Sequence, residues 1–296
     1  MRNFLKPVIL ATFLVCTTAA VSPLMAQYSV YNGDGSINTG NFSLFTVLTS
    51  SDLNDYNNTE TGPSIITGNV GIGGHGNFSM SDGQLNGDLY MNNYGTLSVS
   101  GPARISGRKR GFRTDQGEDG TDQTATLNSA LADADALEAA AAALPNSTAG
   151  VQYKVTQGSF MQGQSVNITN PAQNITIADQ NPAGGNKIVL SINNFVLSNG
   201  TFTLQGTAAT TYVLNITGQF NINNSTVIAT GGLLASHILF NFYSSNTTTI
   251  TMQQGTSLTG ILLADGRNVD LSGGKVFGKV VASQLTLTSG GQVISQ

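Results

Sequence analysis

The sequence predicts an all-β protein: a β-solenoid, built as a discontinuous β-helix, with one amphipathic α-helix packed along its side. Three observations carry that expectation. First, four stretches follow one mould: GNVGIGGHGNFSMSDGQLN (68–86), GDLYMNNYGTLSVSGPARIS (87–106), GILLADGRNVDLSGGKVF (260–277) and GKVVASQLTLTSGGQVIS (278–295). Each opens on Gly, passes through two alternating apolar runs, breaks at Gly and closes on one more apolar residue. Second, charged residues make up only 9% of the chain against 40% hydrophobic, with 35 glycines and no tryptophan. Rich in Asn, Ser and Thr besides, this is the composition of an extracellular all-β chain rather than a cytosolic enzyme, and it is too apolar and too regular for disorder. Third, a single Ala-rich segment, 122–144, departs from the β pattern.

Residues 1–26 read as a signal peptide. Arg2 and Lys6 precede an apolar core, Val8 to Val15, that is too short to span a bilayer. Cleavage is expected after Ala26, with Ala20 as the alternative. Cys16, the only cysteine, lies inside this segment and follows Leu14 and Val15, not the small residue of a lipoprotein site. The mature chain, 27–296, then has no cysteine and no disulfide framework. It reads as a single domain with a helical insertion at 122–144. Losing Arg2 and Lys6 takes the formal charge from −4 to −6, which argues against nucleic acid as a partner. No later apolar run reaches membrane-spanning length, so no transmembrane segment is expected in the mature chain.

The repeats set the coils. The first strand places Val70 and Ile72, Leu89 and Met91, Leu262 and Ala264, and Val280 and Ala282 at matching positions. The second aligns Phe78 and Met80, Leu97 and Val99, Val269 and Leu271, and Leu285 and Leu287. Gly83, Gly101, Gly273 and Gly290 follow, in corners closed to residues with a Cβ. Leu85, Ile105, Val276 and Val293 close the units. Alternation buries one strand face, and a period of about 18–20 residues makes each unit a coil that cannot bury its face alone. A β-sandwich with similar hairpins is the competing architecture.

Between the two pairs of repeats the pattern is looser. The segments 165–177, 187–197, 201–204, 212–216, 220–228 and 238–242 read as strands of coils with longer turns. In the helical segment Leu127, Ala130, Leu131, Ala134, Leu137, Ala141 and Leu144 make one apolar stripe. Thr121 or Asp122 can cap its start, and Pro145 follows its end. If the repeats at the two ends share one core, the N-terminal coils must stack on the C-terminal ones, with the helix as a brace.

These residues carry a family resemblance covering most of 42–295. Ile238, Leu239, Asn241 and Phe242, followed by Gly260 to Ala264 and Gly278 to Ala282, resemble the ILxNF strand and paired G-x-ILA and G-x-VxA coils of the choice-of-anchor A family. Those are bacterial surface proteins counted among adhesin-like domains. TGPSIITGNVGIGG (61–74) is similar to the opening of the bacterial and fungal ice-binding family, a discontinuous β-solenoid with a flanking helix. The resemblance implies that fold and an adhesive or ice-binding role. The long regular Thr array favoured by an ice face is not found.

The candidate binding face is the outward side of the second strand: Ser79 and Ser81, Ser98 and Ser100, Asp270 and Ser272, Thr286 and Thr288. Such a column of small hydroxyls can order water or lie against a polymer, and it is also ordinary on a solvated strand. Thr201 and Thr203, with Thr249 and Thr251, are candidates for a second Thr-bearing face. A basic patch, Arg104, Arg108, Lys109, Arg110 and Arg113, can grip an acidic polysaccharide, or be neutralised by Asp115, Glu118, Asp119 and Asp122 just beyond it.

No catalytic residue is assigned. The GGHG of 73–76 matches a pectin-hydrolase fragment, but the clustered aspartates that chemistry needs are missing, so His75 reads as a turn residue. Asp265, Arg267 and Asp270 make either a small acid–base cluster or a surface ion pair. Two histidines and no mature cysteine point to no metal site, and no cofactor is expected. The expected partner is an extracellular surface, polysaccharide or matrix, with ice as the alternative. The expected location is outside the cell or on its surface.

Overall fold

The computed structural model describes residues 28–56, 62–111, 120–156, 160, 163–181, 185–243 and 246–296. The predicted signal peptide, Cys16 and Arg113 lie outside the described residues.

The alternating runs stack as three parallel faces around one apolar core. Face 1 runs end to end through Lys109–Arg110, Leu89–Met91, Val70–Ile72, Val47–Thr49, residues 280–282, residues 261–264, Ile238–Asn241, Thr211–Ile216 and Lys187–Ile192. Face 2 runs through Leu97–Val99, Phe78–Met80, Leu53–Tyr56, residues 285–288, residues 269–272, Ile250–Met252, Phe220–Asn223, Phe195–Ser198 and Val166–Ile168. Face 3 contains Gln84–Asn86, Ile65–Thr67, Gln292–Ile294, residues 275–277, Thr226–Thr230, Thr201–Gln205 and Asn174–Asp179. Val151–Thr156 closes it as an antiparallel edge.

The chain order is discontinuous, as the paired repeats require. Val47 lies opposite Val70 on one side and Val280 on the other, so the first coil is clamped between an early and a late one. The apolar strand positions aligned by sequence are in register: Val70 with Leu89, Leu262 with Val280, Phe78 with Leu97, Val269 with Leu285.

The corners differ in part from expectation. Gly101, Gly273 and Gly290 do take left-handed backbone, whereas Gly83 does not. A Cβ at Gly83 would stand 2.7 Å from Asp55 Oδ2, so this glycine makes room rather than supplying a special conformation. Asn199, Asn224 and Ser289 turn the same corner with positive φ and no glycine. Many of the polar residues build ladders between coils. Asp52 Oδ1 accepts from the Asn77 backbone N–H at 2.8 Å, and Asn77 Oδ1 accepts from the Thr96 hydroxyl at 2.6 Å. Asn69, Asp88 and Arg108 repeat the device on another corner. The ladders satisfy the turn amides that parallel pairing leaves over.

The helix spans Thr124–Ala142, and Asp122 Oδ1 accepts the Thr124 N–H at 2.8 Å at its start. Leu127, Ala130, Ala134, Leu137 and Ala141 are buried against Leu48, Tyr90, Val213, Leu239, Leu263 and Val281, the outward side of face 1. Face 1 is thus apolar on both sides, which is why Thr211–Ile216 and Ile238–Asn241 are buried at every position. Two polar residues in these runs hold the helix end. Asn215 Nδ2 donates to the Ala141 carbonyl at 2.9 Å, and Asn241 Nδ2 to the Glu138 carbonyl at 3.1 Å and to Asn215 Oδ1 at 2.8 Å. At the other side, Asp133 Oδ2 accepts from the Asn41 backbone and side-chain amides at 2.6 and 2.8 Å, tying the N-terminal segment to the helix.

Candidate binding face

With face 1 covered, faces 2 and 3 are left to solvent. Strand register turns the outward residues of face 2 into columns. One runs Ser98, Ser79, Asn54, Thr286, Asp270, Thr251, Asn221, Val196, Asn167. Beside it, Thr288 stands between Tyr56 and Ser272, and Ser198 pairs with Asn223. The structure therefore brings Ser79, Ser98, Thr286 and Asp270 into one line and Thr288 and Ser272 into its neighbour. Ser81 and Ser100 follow directly on the strands; the Ser81 hydroxyl donates to the Asp55 carbonyl at 3.1 Å, while Ser100 is exposed.

The outward side of face 3 is coarser. Thr67, Ile294, Phe277 and Thr259 share one line, with Gln84, Ile65, Gln292 and Lys275 beside it. Small polar residues dominate face 2; bulky and charged ones interrupt face 3.

Asn54, Tyr56 and Asn221 belong to face 2 but were not singled out from sequence, and Thr251 joins them there. The expected second Thr face does not form. Thr201 and Thr203 lie on face 3, opposite Thr226 and Ile228, whereas Thr251 lies on face 2 opposite Asp270. The intervening turn in the coil of Thr251 hid its offset.

Face 2 is nearly neutral. Its carboxyl, Asp270, is half-buried, and that burial raises its pKa. Asp270 Oδ1 and Asn221 Oδ1 have no hydrogen-bond partner within the protein.

Asp265, Arg267 and Asp270 form neither the acid–base cluster nor the surface ion pair that the sequence left open. Residues 265–267 stand where the neighbouring coil has only Ser283, and this bulge separates the three side chains. Arg267 is no surface group: at 1% exposed it donates to the carbonyls of Gly218 at 2.7 Å and Thr217 at 3.1 Å, and lies over the Phe242 ring. Asp265 turns to the helix and hydrogen-bonds Asp135. Burial, then that contact, pushes its pKa up to about 7. Glu138 beside it is also raised to about 7, by burial and then by Asp135, against the pull of Arg267.

Arg104, Arg108, Lys109 and Arg110 lie at one end of the solenoid, on and beside its last strands. Arg110 Nε pairs with Asp88 Oδ2 at 2.8 Å, an acid of the preceding coil. His75 is a turn residue, as expected, and lies against Tyr94 with ring centroids 4.7 Å apart and planes tilted by 36°. Among the described residues no cluster of His, Cys, Asp and Glu has the makings of a metal site, and no helix is long and apolar enough to cross a membrane.

A discontinuous solenoid with a helix over one face and a small-residue polar face left open is a β-solenoid of the kind ice-binding proteins adopt. The chain belongs to the ice-binding-like adhesive domain family, whose model matches residues 31–294. No curated protein matches it. Among solved structures it is similar to the antifreeze ice-binding protein LeIBP from Arctic yeast, with a TM-score of 0.57 and 16% identity, over 90% of this chain and 96% of that one. It is also similar to an ice-binding protein from the Antarctic ascomycete Antarctomyces psychrotrophicus, with a TM-score of 0.50 and 17% identity, over 88% and 98%. At these identities the likeness is one of fold.

Proposed function

We propose that this chain is an exported, non-enzymatic adhesive domain that binds a solid surface, matrix or polysaccharide through face 2. The observation that carries the reading is the outward column from Ser98 to Asn167, polar at every position but Val196, on the face the helix leaves open. Small hydroxyl and amide side chains on a rigid sheet lose little rotamer freedom on contact and present donors and acceptors at a fixed repeat of about 4.8 Å. Export rests on the N-terminal segment, with its basic start and short apolar core, and places the domain outside the cell or on its surface.

Ice is the second reading. It is favoured by Thr251 and Thr286, which flank Asp270 in the same column, and by the ice-binding proteins that share the fold. Adhesion ranks first because that column mixes Ser, Thr and Asn around a carboxyl and carries an exposed Tyr56 beside it, which breaks the uniform flat array ice requires.

The test is adsorption of the protein to ice and to bacterial cell envelopes, comparing Ser79→Arg on face 2 with Thr203→Arg on face 3. Loss of adsorption in the first alone supports the proposal. Equal adsorption of both sinks the assignment of the face. Thermal hysteresis without envelope adsorption moves ice to the front.

A further inference from the structure

We infer that His75 and Tyr94 form an aromatic platform at the edge of face 2 for a neutral polysaccharide, one whose sugars present an apolar C–H face. This names the ligand class for the proposed adhesive face and rests on that reading in placing the chain along face 2.

Where face 1 passes into face 2, the coil of Val47 turns in residues 50–52, whereas the next two coils use 73–77 and 92–96. These longer turns form a ridge, and each carries an aromatic ring at the same position. The ring centroids lie 4.7 Å apart, close to the coil repeat of about 4.8 Å, with the planes tilted by 36°. The turns are braced from below. Asn92 Oδ1 accepts the N–H groups of Tyr94 at 2.8 Å and Gly95 at 3.0 Å, and the ladder of Asp52, Asn77 and Thr96 ties the strand starts together.

Packing does not account for the rings. Tyr94 is 68% exposed and Tyr56 59%, the two aromatic side chains most open to solvent among the described residues, and His75 is exposed too. Both tyrosines border face 2, Tyr94 where its strands begin and Tyr56 where they end. By strand register they are separated by roughly six residues along the strands, about 20 Å, and by two coils across them, about 10 Å. Between them lie Ser98, Ser79 and the largely buried Asn54, with Thr286 on the next coil. Exposed rings at one end, a path of small hydroxyls and amides, and another ring at the far end suit a sugar polymer. A pyranose stacks its C–H face on a ring and hydrogen-bonds through its rim. Along this path no charge calls for an acidic or basic ligand. An apolar protein partner would meet hydrophilic side chains over most of it.

The experiment is a depletion isotherm of the purified protein on microcrystalline cellulose and on chitin, with Tyr94→Ala, Tyr94→Phe and Thr286→Arg. The expected result is adsorption of the wild type to at least one polymer. Tyr94→Ala should lower the association constant fivefold or more, Tyr94→Phe should match wild type, and Thr286→Arg should also weaken adsorption. An unchanged melting temperature in Tyr94→Ala excludes a folding effect. Wild-type adsorption by Tyr94→Ala, with loss in Thr286→Arg, overturns the platform and leaves the face standing. Failure of the wild type on both polymers, with adsorption to cell envelopes retained, does the same.

Discussion

The contact of Asp265 with the helix makes a pH-dependent prediction that can be worked out in full. Residues 265–267 bulge from their coil and bring the Asp265 carboxyl towards that of Asp135, and burial, then this contact, favours the protonated form of Asp265. The folded pKa of Asp265 is about 7 against an ordinary 3.8, and that of Glu138 about 7 against 4.5. Both are raised, so the native state holds more protons than the unfolded chain at intermediate pH, and stability falls as pH rises. The contribution is fully present below pH ~4 and is lost by pH ~7. At about 1.4 kcal/mol per unit, the Asp265 shift has a ceiling of about 4 kcal/mol. Partial exposure of both groups and their common dependence on Asp135 bring the expected combined loss to about 2 kcal/mol. In a domain of this size that is a fall of roughly 4–8 °C in melting temperature. The assay is thermal unfolding by circular dichroism between pH 4.5 and 7.5. Asp265→Asn, whose amide donates to Asp135 at any pH, should flatten the slope and raise the melting temperature at pH 7.5. A slope as steep in Asp265→Asn as in wild type, or a melting temperature that climbs over this range, would refute the reasoning.

Further outcomes follow from the same contacts. Asn241→Ala removes one hydrogen bond to the helix, at the Glu138 carbonyl, and one to Asn215 Oδ1, which is left without that donor; urea denaturation should show a loss of about 2 kcal/mol, with Asn215→Ala adding less than its single value. Gly278→Ala sets a Cβ against the Gly260 carbonyl at a φ of 144°, and should lower stability by at least ~2 kcal/mol in the same assay. Arg110→Ala should cost less than ~1 kcal/mol, because its pair with Asp88 is partly exposed. Lys109 and Arg110 form an edge strand at one solenoid end, so Lys109→Val with Arg110→Val should promote self-association in light scattering.

Much of this architecture is written in local pattern. The alternation at Val70 and Ile72, the glycine corners and the stripe from Leu127 to Ala141 each reflect a choice the chain makes within one coil or one helix. The outward serines of face 2 were legible for the same reason: their offset from the apolar positions is constant. What escaped depends on distant coils. The strand Leu53–Tyr56 turns Asp55 inward where its neighbours have Met80 and Leu287, which spoils the alternation and hides Asn54 and Tyr56. Asn215 and Asn241 interrupt apolar runs in sequence, and only the docked helix shows why. Arg267 looks like a turn cation, yet the bulge folds it under the Thr217 and Gly218 carbonyls. The pairing of Asp265 with Asp135 joins a solenoid corner to a helix 130 residues earlier in the chain, which no periodicity can signal.

The central claim is that face 2 makes the contact. Cys16 is the only cysteine and lies in the leading segment, so a single cysteine can be placed on the domain and tagged with a bulky dye. Adsorption to ice, cell envelopes, cellulose and chitin is then compared for tags at Thr286 on face 2 and Thr203 on face 3. A tag at Thr286 that blocks adsorption, while one at Thr203 leaves it intact, is the predicted result. Block by the Thr203 tag alone would contradict the account and move the binding surface to face 3.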